Sequence, residues 1–321
     1  MARVAHAVFP CQSPATPMRS GAFVTVTQIT GVAHLSVIPV SVAELHRSRP
    51  PFAAEGMRLV MTDLKGDVLP VAEDIARRYP SSGAIGVVTE VSDPAACDAL
   101  ISAAVGRHGG VDVLAHATAI PQQKGPTAEL TAEEWDRVMA VNAKGAFLLC
   151  RSVIPVLPKP GGAIVFTGSF TGEIEVAERA AHSASKGALR LFTQSLALEL
   201  ARDGIRVNGV APAFVESAMG RQTLEITAAS ERITVEQAQA KRDATIPLAR
   251  QASAREVAEA FLYLASPAAS YATGTWLDVN GAVPNQLSAR ESRACSGGFG
   301  LPGRRTFGPA AAKVARTRSR H

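Results

Sequence analysis

His182 and Lys186 stand four residues apart in the stretch AAHSASKGALRLF, residues 180–192. On a helix that spacing puts both side chains on one face, with an ammonium beside an imidazole. An imidazole titrates near pH 6.5 and exchanges protons in the physiological range, which suits it to general acid–base work. Its neighbour acts against that use, because a nearby cation makes the protonated ring less favourable. No tyrosine is close in sequence: the three are Tyr79, Tyr263 and Tyr271.

The elements that must position these groups follow from hydrophobic patterning. From about Phe52 to Gly281 short β-branched runs alternate with longer helical stretches. MRLVMTD (57–63), AIGVVTEV (84–91), VDVLAHA (111–117), GAIVFTGS (162–169), IRVNGVAP (205–212) and TWLDVN (275–280) read as strands. Between them, 68–79, a stretch capped by Ser92 or Asp93, a long stretch opened by Thr131, and 183–203 read as helices. Strands apolar on both faces and separated by helices imply an α/β fold, a doubly wound parallel sheet with helices on both faces in a single domain. Ligands in such folds bind beyond the carboxyl ends of the strands. The polar segment 216–246 interrupts the alternation and reads as a substrate lid or as a solvated connector.

Eight stretches in order then resemble the short-chain dehydrogenase/reductase family. They are TDL (62–64), EVSDPA (90–95), VDVLA (111–115), VNAKGAF (141–147), IVFTGSFTG (164–172), HSASKGAL (182–189), ELARDGIRVNGVAPAFVES (199–217) and YATGTWLDVNGA (271–282). The resemblance implies a Rossmann-like domain and hydride transfer between NAD(P) and a small alcohol or ketone. It assigns Ser169 to the substrate oxygen, Lys186 to the nicotinamide ribose, and Asn142 to a water that leads protons out. The proton-exchanging position, a tyrosine in the family, falls on His182. Asp63 matches the carboxylate that accepts from the adenosine ribose and repels a 2′-phosphate, which favours NAD over NADP. Glu90 and Val91 match the adenine pocket, while His116, Ala117, Pro212, Val215 and Ser217 match further positions along the dinucleotide. Family members also associate through helices matching 131–157 and 183–203, which implies a homo-oligomer.

Three departures limit what the resemblance implies. The family's first strand runs into Thr-Gly-x-x-x-Gly-Ile-Gly, whose glycines admit the pyrophosphate to a helix N-terminus. Counting back without gaps places that loop on IPVSVAEL (38–45), which has no glycine; TGVAHLSV (30–37) keeps only Thr30 and Gly31. HATA (116–119) stands where the family has Asn-Asn-Ala-Gly. An imidazole also reaches about 2 Å less far than a phenol, against a proton-transfer distance of roughly 2.6–3.2 Å. These features point to an impaired oxidoreductase, or to an inactive pseudoenzyme that keeps the fold as a binding or oligomerisation module.

Composition bounds the remaining classes. The chain has 321 residues, 47% of them hydrophobic, enough for a large core. Its formal charge of +5 is concentrated at the ends: residues 288–321 hold eight Arg and Lys against Glu291 alone. We expect 1–35 to be poorly ordered or foreign to the family, 36–283 to form the domain, and 284–321 to be a basic disordered tail. Because the family pattern starts and stops abruptly, an out-of-frame origin for one or both ends is a further expectation. The tail's charge does not amount to a specific nucleic-acid site. Four scattered cysteines and seven scattered histidines suggest reduced thiols and no metal. No apolar run of membrane-spanning length and no secretory signal stands out, so a cytoplasmic location without membrane contact is expected.

Overall fold

The computed structural model describes residues 22–26, 51–54 and 57–283, apart from 124 and 173–176. Seven parallel strands form one sheet: β1 (Ala22–Val26), β2 (Arg58–Asp63), β3 (Ile85–Val88), β4 (Val113–His116), β5 (Ala163–Thr167), β6 (Arg206–Pro212) and β9 (Trp276–Val279). Their order across the sheet is β3-β2-β1-β4-β5-β6-β9. Strand order reverses between β1 and β4, and the crevice at such a switch point is where doubly wound sheets bind ligands.

Helices cover both faces because the strand side chains alternate between two apolar layers. Leu114, Ile164, Phe166 and Val207 pack with α3 (Pro94–His108), α5 (Gly145–Val153) and α6 (Ala180–Leu200). Val113, Ala115, Val165 and Val210 face the other way, onto α2 (Val68–Arg78) and α9 (Ala254–Ala265). The predicted caps form as expected: Asp93 accepts from the Ala95 amide and Thr131 from the Glu134 amide. A further short helix, α1 (Pro51–Ala54), starts on a proline, at the first helical position, where an amide hydrogen would have no partner within the helix.

The first strand lies ahead of residue 36, where the sequence reading starts the domain. β1 is AFVTV, with Val24 in register with Val60 on one side and Leu114 on the other. The expected boundary at residue 36 therefore leaves out the central strand of the sheet. The two stretches weighed for the glycine loop, and the tail 284–321, lie outside the described residues.

The long helix opened by Thr131 is not uniform. Helix α4 (Ala132–Met139) passes through a wider π turn at Ala140–Lys144 before α5. Such turns interrupt regular packing and commonly carry functional side chains; here the turn holds Asn142. Residues 132–156 together are long and apolar enough to cross a membrane by length and mean hydropathy, although charged residues interrupt the stretch. Half of that stretch is buried within the fold, the pattern of a core helix. Segment 216–246 forms α7 (Ala218–Glu231) and α8 (Val235–Asp243), which share a small core of Leu224, Ala228 and Ala238. Two-residue strands β7 (Val215–Glu216) and β8 (Ala252–Ser253) pair beside it.

Candidate functional site

Helix α6 brings the first candidates together. Lys186 is fully buried, and its Nζ donates to the Thr167 carbonyl at 2.8 Å, at the carboxyl end of β5. Burial pulls its pKa down to about 7, so the ammonium is held by one oxygen rather than by a carboxylate. One turn earlier, His182 is 9% exposed and its Nδ1 lies 3.3 Å from the Ile120 carbonyl oxygen. Burial first, and then the charge of Lys186, push its pKa down to about 3. The imidazole is therefore neutral at physiological pH.

Ser169 lies two residues beyond β5 and is half-buried. Its Oγ accepts from the Thr171 amide at 3.2 Å and from Thr171 Oγ1 at 3.0 Å, which leaves its own hydrogen for another partner. Gly172 lets this loop lie against α6: a Cβ there would come within 3.1–3.2 Å of Lys186 backbone and Cβ atoms. Asn142 is fully buried. Its Oδ1 accepts from the Ile120 amide at 2.7 Å, and its Nδ2 donates to the Ile120 carbonyl at 2.9 Å and to Ser185 Oγ at 3.0 Å. The three tyrosines are elsewhere: Tyr79 caps α2, Tyr263 is on α9, and Tyr271 is fully exposed before β9.

The other candidates lie at strand ends. Asp63 closes β2 almost fully buried; Oδ1 accepts from the Lys65 amide at 2.8 Å, while Oδ2 has no partner. Desolvation raises its pKa to about 7. An orphaned, desolvated carboxylate oxygen at this strand end fits the hydroxyl donors of a dinucleotide's ribose. His116 ends β4 next to Val26 of β1, at the switch point. Its ring is fully buried 5.8 Å from that of Phe166, neither nitrogen has a partner, and burial lowers its pKa to about 3. Ala117 is buried beside it. Glu90 turns its carboxylate back onto the Ser92 amide and hydroxyl, and Val91 packs against Gly145 on α5. Pro212 and Val215 are buried at and beyond the end of β6, and Ser217 caps α7 through the Gly220 amide. Among the described residues no cluster of His, Cys, Asp or Glu could hold a metal ion.

The family described as enoyl-(acyl carrier protein) reductase matches residues 50–283. The chain belongs to the short-chain dehydrogenase/reductase family. It is 32% identical over 237 residues to 2-(R)-hydroxypropyl-CoM dehydrogenase of Xanthobacter autotrophicus, covering 72% of this chain and 90% of that one. Cis-4-hydroxycyclohexanecarboxylate dehydrogenase of Sinomonas cyclohexanicum is 34% identical over 219 residues, covering 67% and 84%. Among solved structures, a point variant of actinorhodin polyketide ketoreductase with NADPH superposes with a TM-score of 0.69 at 29% identity, covering 82% and 98%.

One positioning residue of this short-chain dehydrogenase/reductase has no signal in the sequence. Gln122 is 2% exposed, and its Oε1 accepts from the Ala181 amide at 2.7 Å and the His182 amide at 3.3 Å. Helix α6 has no cap of its own at Arg179, so Gln122 supplies one from 57 residues away while its carbonyl receives the Arg179 guanidinium. No residue type or spacing signals a cap made across the chain.

Proposed function

We propose that the chain is an NAD-dependent oxidoreductase of a small alcohol or ketone, with His182 in the proton-exchanging position and turnover well below that of tyrosine-bearing relatives. The observation that carries this reading is that α6 sets Lys186 on the Thr167 carbonyl at the end of β5, against the loop that carries Ser169, with His182 one turn earlier on the same helix. A dinucleotide would supply the hydride donor or acceptor at its nicotinamide. Asp63 Oδ2 would accept from its adenosine ribose, and Lys186 would lie near the nicotinamide ribose. The remaining positions matched to the dinucleotide are Glu90, Val91, His116, Ala117, Pro212, Val215 and Ser217. Ser169 would hold the substrate oxygen, and His182 would take or return its proton. Low turnover follows from the short reach of the ring and from its depressed pKa, since a weak base accepts protons poorly.

The second reading is a pseudoenzyme that keeps the fold as a binding or oligomerisation module. It is favoured by the neutral, carbonyl-bound imidazole and by exposed Leu191 and Leu198, seven residues apart on one face of α6. Under both readings we infer a cytosolic homo-oligomer joined through α4 to α6.

His182→Tyr decides between them. The first reading predicts at least a tenfold gain in NAD-dependent alcohol oxidation and a thermal shift with NADH. No gain together with no shift at millimolar dinucleotide supports the second.

A further inference from the structure

The contacts around His182 form a closed set, and each is directional. A carbonyl oxygen only accepts hydrogen bonds, so the Ile120 contact requires the ring proton on Nδ1. Ile120 cannot turn away, because Asn142 binds its amide and its carbonyl together. The second Nδ2 hydrogen of Asn142 goes to Ser185 Oγ, which donates to the His182 carbonyl at 2.7 Å. Gln122 takes the His182 amide. Asn142 therefore reaches His182 twice, through the ring and through the backbone. Both of its amide hydrogens are engaged within the protein.

We infer that Asn142, acting through the Ile120 carbonyl, is a positioning residue that locks His182 in the Nδ1–H tautomer and leaves Nε2 as the proton acceptor. This rests on the reading of His182 as the proton-exchanging group. Among the described residues Nε2 makes no hydrogen bond, and with the proton on Nδ1 it is the ring's acceptor nitrogen. A backbone carbonyl on Nδ1 commonly sets which nitrogen of a histidine reacts. In alcohol oxidation Nε2 would take the hydroxyl proton, while a bound oxidised nicotinamide dinucleotide would supply the hydride acceptor; the imidazolium would then return its proton to solvent.

The charged groups acting on the ring all favour this resting form. Lys186 on α6 and Arg179 before it are cations that oppose protonation, and the second buried imidazole, His116 on β4, is itself neutral. Oxidation then starts from the populated form, so titration of this ring does not limit it between pH 5 and 8. Reduction needs the scarce imidazolium and slows about tenfold for each pH unit of increase.

The test uses the full chain, labelled with 15N at histidine and without ligand. NMR is expected to show His182 as the Nδ1–H tautomer with a bare Nε2, unchanged from pH 5 to 8. Asn142→Ala is expected to raise the Nε2–H tautomer from under a tenth to at least a third, whereas Gln122→Glu, which keeps the acceptor for the helix amides, leaves it unchanged. A native ring protonated on Nε2, or an Asn142→Ala spectrum like the native one, overturns the proposal. If Asn142→Ala does not fold, the native spectrum alone decides. These readouts need no turnover, so a locked tautomer with no activity gain in His182→Tyr would refute the functional reading and leave the lock standing.

Discussion

Lys186 gives its buried Nζ to the Thr167 carbonyl at 2.8 Å, and the same charge acts on both buried imidazoles, His116 and His182. Replacing it with methionine keeps the volume and removes the charge. The Lys186→Met variant is expected to raise the pKa of both rings, read by histidine NMR titration. Its stability should also lose a pH dependence. Unfolded, the lysine keeps its proton to about pH 10.4, whereas folded it releases it near 7. The unfolded state thus binds more protons between these values, and native stability rises with pH there by about 1.4 kcal/mol per unit. Urea midpoints of the variant between pH 7 and 9 should be flatter than those of the native chain.

His116 imposes a cost on the acid side. Its folded pKa of about 3 lies below that of a free imidazole, so unfolding takes up a proton throughout the interval. The stability this ring permits is fully present above about pH 6.5 and is lost as pH falls toward 3. Asp63, raised to about 7, runs the other way, losing stability as pH rises from about 4. His116→Leu removes two orphaned nitrogens from an apolar site against Phe166 and is expected to stabilise the chain. The gain should be about 2 kcal/mol larger at pH 5 than at pH 8, measured by chemical denaturation.

These effects show where the sequence was legible. The sheet strands β2 to β6 and β9, the caps Asp93 and Thr131, and the shared face of His182 and Lys186 follow from local pattern and helix period, so they could be read. The boundary at residue 36 leaves out Phe23, Val24, Thr25 and Val26, good strand formers, whereas the register with the loop at 30–37 ends its first strand before Thr30, as β1 does. The hold of Asn142 on Ile120 and the cap from Gln122 are made between residues 22 to 60 positions apart, and the burial of the His116 nitrogens is set by tertiary packing. Spacing along one element carries no information about them.

Asp63 makes the cofactor reading measurable. Ribose hydroxyls donate, so their binding favours the ionised carboxylate and should lower its pKa from about 7. NADH affinity is therefore expected to rise between pH 6 and 8, and Asp63→Asn should abolish that rise. The charge-assisted bonds lost are worth about 1.5–3 kcal/mol, so NADH should bind the variant about 10- to 100-fold more weakly at pH 8. NADPH, whose phosphate the carboxylate repels, should lose much less. Titration calorimetry with both dinucleotides checks this, and equal losses would remove Asp63 from the site.

The 216–246 segment reaches the same site through three side chains. The Arg242 guanidinium of α8 lies 5.2 Å from the centre of the Phe214 ring and donates to the Gly220 carbonyl at 3.0 Å. The Phe214 ring is in turn 5.5 Å from that of Phe170, which adjoins Ser169. The described core of α7 and α8 is Leu224, Ala228 and Ala238 with half-buried Ile233 and Val235 against it, and an exposed Lys241–Glu231 pair joins the helices, which is little apolar burial to hold them firmly. Arg242→Ala removes a cation–π contact and a charge-assisted hydrogen bond, together about 2 kcal/mol. Hydrogen exchange across 218–243 should speed up at least tenfold while the amides of β5 and β6 stay protected. Equal acceleration in the sheet would mean that the segment and the sheet unfold as one unit, and that Arg242 supports the whole domain.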